Sequence, residues 1–223
     1  MTTPQFTLYV HASGPNPWKV AIILEELKLP YKIITVSTTD GANHKPPYTL
    51  LNPNGRMPTL IDHSNNDFTI WESGAIILYL VEKYDTEEKK LSFESFESNA
   101  LAKQYLMFQM SGQGPYFGQL AWFVFFHPEK VPSAIERYKN EVRRVLGVLN
   151  TILQGKKYLV EDRVSYADLS FLPWLWVIES PALGVAGWKE EPQFEAVSRW
   201  YAMLEERESV KKTHELKDAA GKK

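Results

Sequence analysis

The residues of this chain suited to chemistry sit where a turn-rich loop gives way to a strand or a helix. The first such run, Asn52-Pro53-Asn54-Gly55-Arg56-Met57-Pro58, feeds straight into the β-prone Thr-Leu-Ile-Asp of residues 59–62. Pro58 has no N–H to donate to a ladder, so it fits only at the strand's first position. If the Met57–Pro58 bond is cis, the Met57 backbone turns outward and its N–H and C=O can pair with an extended peptide as an added strand. A trans bond would make the run an ordinary turn, and cis occurs at only about 5–6% of X-Pro bonds. The second run is Trp71-Glu72-Ser73-Gly74, where a strand ends and a helix begins. The Ser73 hydroxyl and the open N–H groups of a helix start make an anion site, while Glu72 can accept an ammonium. Together they suit the head group of an α-amino acid; the plainer alternative is that Ser73 caps the helix. The third run, Ser13-Gly14-Pro15-Asn16-Pro17-Trp18-Lys19, offers backbone and side-chain donors at a helix N-terminus, where a bound thiol would be partly ionised. Its alternative is a turn with Asn16 as N-cap and Pro17 at the first helical position. A fourth, Val164-Ser165-Tyr166-Ala167-Asp168-Leu169, has S-x-x-D spacing before an apolar helix and is assigned to folding.

Other chemistries are closed off by composition. The chain has no cysteine, which removes disulfides, thiolate metal sites and protein-thiol nucleophiles, so any sulfur chemistry must come from a ligand. The five histidines (His11, His44, His63, His127 and His214) lack metal-ligand spacing, and no metal is expected. Neither a P-loop nor a GxGxxG is present. A net charge of −2 without a basic stripe argues against nucleic acid or an anionic membrane as partner and favours small molecules. The first residues hold no cationic stretch followed by an apolar run, and no segment has the roughly 18 apolar residues of a span. A cytoplasmic location is expected.

These segments need elements to position them. Phe6 to Val10 reads as a strand and Trp18 to Leu27 as a helix; Tyr31 to Val36 reads as a second strand. Residues 59–62 and 68–71 read as a hairpin, and 73–84 as a helix. The order βαβ then ββα describes a small mixed sheet with helices, as in thioredoxin-like domains. Residues 85–92, Asp-Thr-Glu-Glu-Lys-Lys-Leu-Ser, read as a polar linker. Beyond them helical periodicity dominates: 93 to about 126 with a break near Gly112-Gln113-Gly114-Pro115, then 133–153, 166–178 and 195 to about 212. The expected architecture is an α/β thioredoxin-like domain over 1–84, a linker over 85–92 and an all-α helical bundle over 93–223. With 223 residues, 44% of them hydrophobic and 23% charged, two compact domains can each bury a core.

Taken together, the four segments occur in the order and spacing of cytosolic glutathione transferases. The chain resembles that family through NPNGRMPTL, WESGAIILYL, the SYADLSFLPW box and a final helix ending ESVKK. Within it, PNPWKV, GQGPYFGQ and AIERYKNEVRRV are similar to the fungal nitrogen-catabolite-regulator-like transferases and the bacterial nu class. The resemblance implies the glutathione transferase fold, glutathione as co-substrate and a homodimer. By resemblance, Met57 before Pro58 meets the cysteinyl backbone of glutathione, and Glu72 and Ser73 hold its γ-glutamyl end. Asn43 matches the position at the glycine carboxylate, with His44 and Lys45 as neighbouring alternatives and Arg56 adding positive charge. Asn16 matches the asparagine proposed to donate to the sulfur. Ser13 is the second candidate, one place before Gly14, where nu-class relatives carry a threonine.

An amide can carry that task on energetic grounds. A thiol of pKa about 8.5 is roughly 3% ionised at pH 7, and lowering it by about two units requires about 2.7 kcal/mol. A hydrogen bond to a charged acceptor contributes about 1.5–3 kcal/mol and a helix N-terminus about 0.3–1 kcal/mol. For the second substrate, a small hydrophobic electrophile or a disulfide, Tyr116, Phe117, Trp122 and Trp176 are expected to form an apolar wall facing the glutathione loop; their alternative is bundle core. The leading expectation is a transferase that uses the glutathione thiolate against electrophiles, with glutathione-dependent disulfide or peroxide reduction close behind. Because the chain has no thiol, bound glutathione would itself be the attacking thiol in exchange. A non-catalytic carrier or regulatory module is the alternative from another class.

Overall fold

The computed structural model describes residues 4–222, which fall into two compact units: residues up to 90 together with 207 onward, and residues 91–206. In the first unit, β1 (Phe6–Val10), α1 (Pro15–Glu26) and β2 (Tyr31–Thr35) are followed by a 3-10 turn (Ala42–His44), α2 (Tyr48–Leu51), β3 (Thr59–Asp62), β4 (Phe68–Trp71) and α3 (Ser73–Tyr84). The strands order as β2-β1-β3-β4. β1 runs parallel to β2 and antiparallel to β3, and β3 is antiparallel to β4. The βαβ–ββα reading is therefore correct. Phe6, Leu8, Val10 and Leu60 of the sheet and Ile76, Ile77 and Leu80 of α3 are fully buried in the core. Helix α1 is buried at every residue from Pro17 to Leu24. It starts at Pro15, not Trp18, because Pro15 takes an early helical position where its missing N–H costs nothing.

The second unit holds α4 (Phe96–Phe108), α5 (Gly114–Ala121), α6 (Pro132–Leu153), α7 (Tyr166–Ile178) and α8 (Glu195–Glu205). The break expected near residues 112–115 is instead a π-helical turn, Gln109–Gln113, through which α4 runs on into α5. The wider turn absorbs Pro115, whose ring and missing N–H would disrupt a regular ladder. Buried amides hold it: Gln109 Nε2 donates to Gln113 Oε1 (3.1 Å), and Gln113 Nε2 donates to the Phe171 carbonyl (3.1 Å). A second π turn, Trp122–Phe126, ends the run. The 165–168 box forms as expected. Asp168, fully buried, accepts from the Ser165 N–H (2.9 Å) and Oγ (2.8 Å), the Leu159 N–H (2.9 Å) and Trp200 Nε1 (3.0 Å). Burial raises its pKa, against the pull of those donors.

The pattern over 195–212 predicts one helix, but the structure has two, because Arg207 adopts an extended conformation between α8 and α9 (Glu208–Gly221). Helix α9 packs on α1 and belongs to the first unit. Arg207 grips the Glu26 carboxylate through Nε (2.5 Å) and Nη2 (2.8 Å), and Ser209 Oγ adds a third bond (2.6 Å). Burial alone would raise the Glu26 pKa, but the bonds from Arg207 and Ser209 outweigh it and hold the carboxyl below its usual range. No described helix is long and apolar enough to cross a membrane.

Candidate functional site

Strand register decides which loops meet. Tyr9 of β1 pairs with Thr59, the first residue of β3, and Thr59 pairs with Trp71, the last residue of β4. Val10 pairs with Thr35 at the end of β2. The loop after β1, the segment after β2, the run before β3 and Glu72 after β4 thus leave from one edge of the sheet. The N-termini of α1 and α3 open at the same edge, where the helix dipoles favour negative charge.

The run before β3 is tightly built. Both Met57–Pro58 and Pro46–Pro47 are cis. The Arg56 carbonyl accepts from the Tyr48 hydroxyl (2.7 Å) and Asn52 Nδ2 (2.6 Å). The hydrogen-bonded register of β3 begins at Thr59, which leaves Met57 outside it, half-buried. Gly55 sits at φ +66°, and a Cβ there would lie 2.5 Å from His44 Nδ1 and 2.8 Å from the Asn43 carbonyl. Only glycine fits. Asn43 Nδ2 donates to the Gly55 carbonyl (2.7 Å), while Asn43 Oδ1 is buried without a hydrogen-bond partner. Asn43 thereby locks two loops together, while His44, Lys45 and Arg56 beside it are exposed.

At the start of α3, Glu72 occupies the N-cap position with φ 71°, ψ 114°, and Ser73 is the first helical residue, 1% exposed. The capping alternative for Ser73 is therefore corrected by one residue. A side-chain-bearing residue at positive φ is held there by its surroundings, a form of strain that gathers at ligand sites. The Glu72 side chain is exposed. Lys19 of α1 is buried, 1% exposed, and burial lowers its pKa to about 7 against the opposing attraction of Glu72.

The loop after β1 folds back on itself: the Gly14 N–H donates to the His11 carbonyl (3.2 Å), and Trp18 Nε1 donates to the Ala12 carbonyl (3.0 Å). Gly14 is the N-cap of α1 and Asn16 lies inside the first turn, so the reading of Asn16 as cap and Pro17 as first residue is corrected. Ser13 is exposed and its Oγ lies 3.2 Å from His11 Nδ1, while His11 Nε2 lies 2.8 Å from Thr38 Oγ1. His11, Thr38 and Lys19 are partners that the motifs did not reveal. For Lys19 a signal exists, since a lysine within Trp18-Lys19-Val20-Ala21-Ile22-Ile23 has apolar neighbours all round a helix. Nothing local links His11 to Thr38.

The aromatic candidates lie in the second unit and have different surroundings. Phe117 is 0% exposed and belongs to the helical core, which removes it from any wall open to solvent. Tyr116 is half-buried beneath the Arg144 guanidinium (5.9 Å to the ring). Trp122 is 48% exposed and stacks on Phe126 (5.9 Å). Trp176 donates through Nε1 to Glu205 (2.6 Å).

A βαβ–ββα sheet with a cis-proline loop, joined in one chain to an α-helical unit, defines the thioredoxin-like class in its two-domain form. Residues 4–82 match the family model of the glutathione S-transferase N-terminal domain, and residues 115–208 that of the C-terminal domain. Glutathione S-transferase 2 of Schizosaccharomyces pombe is 50% identical over 219 residues, covering 94% of this chain and 95% of that protein. The glutathione transferase URE2P6 from Phanerochaete chrysosporium, solved in complex with oxidized glutathione, superposes with a TM-score of 0.92 at 48% identity, over 97% of this chain and 98% of that one. Ure2p5 from the same organism, cocrystallized with 1-(S-glutathionyl)-2,4-dinitrobenzene, gives 0.88 at 41% identity, over 99% and 97%. The chain belongs to the glutathione S-transferase family.

Proposed function

We propose that this protein binds glutathione along the sheet edge described above and stabilises its thiolate for attack on small hydrophobic electrophiles. One observation carries the reading: strand register brings the cis Met57–Pro58 bond, Glu72–Ser73 and the N-terminus of α1 to one edge. In this reading the Met57 backbone pairs with the cysteinyl residue, Glu72 takes the ligand ammonium, and Ser73 with the α3 N-terminus takes the γ-glutamyl carboxylate. Exposed His44, Lys45 and Arg56 face the glycine carboxylate, and Asn43 keeps their loop in place. Asn16, with Ser13, donates to the sulfur. The dinitrophenyl conjugate held by Ure2p5 supports an aryl group as the second substrate.

Glutathione-dependent disulfide reduction extends the same site: a bound glutathione thiolate attacks one sulfur of a small disulfide, the other sulfur leaves as thiolate, and glutathione is carried off as the mixed disulfide. The oxidized glutathione bound by URE2P6 supports a disulfide as ligand. The working form is proposed to be a cytoplasmic homodimer, for which exposed Phe68, Trp71, Phe125 and Phe126 supply apolar surface.

The test is a paired assay with glutathione, using an aryl halide in one reaction and hydroxyethyl disulfide in the other. Turnover of the halide is expected, and the ratio of the two rates sets the balance between transfer and reduction. Glutathione binding without turnover of either would replace this reading with a carrier.

A further inference from the structure

Ser13 presents one hydroxyl proton, and where that proton points decides whether Ser13 helps or opposes a thiolate. Its oxygen lies 3.2 Å from His11 Nδ1, and the other ring nitrogen, Nε2, lies 2.8 Å from Thr38 Oγ1. A neutral imidazole has one N–H donor and one bare acceptor nitrogen. Two arrangements follow. With the ring proton on Nε2, the ring donates to Thr38 and Ser13 must spend its own proton on Nδ1, turning lone pairs outward. With the ring proton on Nδ1, the ring donates to Ser13, Thr38 donates to Nε2, and the Ser13 proton is released to a third partner. The second arrangement alone favours an anion beside Ser13.

We propose that His11, backed by Thr38, is a positioning residue that directs the Ser13 hydroxyl proton toward the bound glutathione sulfur. This rests on the reading of the loop after β1 as the seat of the thiol. The relay spans the two segments that leave the parallel strands β1 and β2 at the site edge, and Val36 N–H donating to the Val10 carbonyl (2.8 Å) holds them together. The loop is braced independently by the Gly14 N–H and Trp18 Nε1 bonds to the His11 and Ala12 carbonyls, neither of which uses the His11 ring. The ring is therefore available to orient a neighbour without also having to hold the fold. Burial lowers the His11 pKa. The ring is neutral at neutral pH, where the choice between the two arrangements exists.

The test follows the ionisation of bound glutathione by the ultraviolet absorbance of its thiolate across pH. His11→Ala is expected to reduce the thiolate fraction at neutral pH about three- to tenfold, with little change in glutathione Kd. Ser13→Ala should reduce it equally, and the double variant should show no further loss. His11→Asn, whose amide can offer an N–H in place of Nδ1, should stay near the parent. Thr38→Val, a change at an exposed hydroxyl, should shift ionisation in the same direction by less, and it serves as the probe should His11→Ala fail to fold. A loss on changing His11 or Thr38 that persists undiminished in the Ser13→Ala background would overturn the inference, as would His11→Asn behaving like His11→Ala. If Ser13→Ala leaves ionisation unchanged while Asn16→Ala lowers it, the relay falls and the glutathione reading stands. Absence of glutathione binding by the parent protein would remove that reading itself.

Discussion

Asn16 has a position that suits a donor to sulfur: it lies within the first turn of α1, past the Gly14 cap, where the helix N-terminus adds its own positive potential. Under the proposed function, replacing it by alanine removes one hydrogen bond to the bound thiolate. Asn16→Ala should raise the pKa of the bound thiol by about one unit and cut turnover near neutral pH about tenfold. A pH–rate profile checks this, and an unchanged acidic limb would transfer the role to Ser13 or to backbone N–H groups. Lys19 makes a second prediction. Its pKa falls from 10.5 to about 7 on folding, so between those values the unfolded chain binds more protons than the folded one, and stability rises with pH across that window. The cost of the buried ammonium is constant below about pH 7. Lys19→Met should therefore melt at a higher temperature than the parent near about pH 7, with the gap closing toward about pH 10. Thermal scans at the two pH values read this directly. Loss of glutathione affinity in the same variant would reveal that Lys19 also steadies Glu72.

Among the elements, the Asp168 box is the most interconnected. It ties the Leu159 N–H, the start of α7 and Trp200 of α8 to one carboxylate. Asp168→Ala leaves four donors without their acceptor and should destabilise the protein by at least about 3 kcal/mol; denaturant unfolding gives the value, and a loss under about 1 kcal/mol would reduce the box to an ordinary cap. This box was legible in the sequence because both partners lie within one turn of each other. The four strands were legible for a related reason, as short β-branched and aromatic runs bounded by turn residues. The π turn at Gln109–Gln113 was not. Its glycines and proline read as a helix break, and what carries the helix through is a bond from Gln113 to the Phe171 carbonyl, 58 residues on. The division between α8 and α9 was hidden in the same way, since Arg207 answers to Glu26, 181 residues distant. In the candidate site the motifs exposed the loop before Pro58 and Glu72–Ser73, but not the isomer of the Met57–Pro58 bond. The His11–Thr38 pairing arises only from the parallel register of β1 and β2.

At the scale of the whole molecule, the helical unit is an insertion into the thioredoxin-like unit, because residues from 207 onward return to it. The Glu26–Arg207 pair is the clasp. Arg207 is 29% exposed and Glu26 12%, between the surface and buried extremes, so Arg207→Gln should cost about 1–3 kcal/mol near neutral pH. Glu26 has a lowered folded pKa, so its contribution is present above the unfolded carboxylate value and is lost as pH falls through the folded one. The difference between variant and parent should accordingly shrink in acid, which melting curves across pH would display. A difference independent of pH would assign the effect to packing of the arginine stem instead.

The same return of the chain sets a schedule for synthesis. A ribosome releases the sheet and α1 first, and domains generally fold as they emerge. Here the helix that covers α1 emerges only after all of the helical unit. Until then the apolar flank of α1 has no lid, and the unit whose sequence begins first is the one completed last. The first unit's apolar surface is therefore the one left open longest as the chain is made.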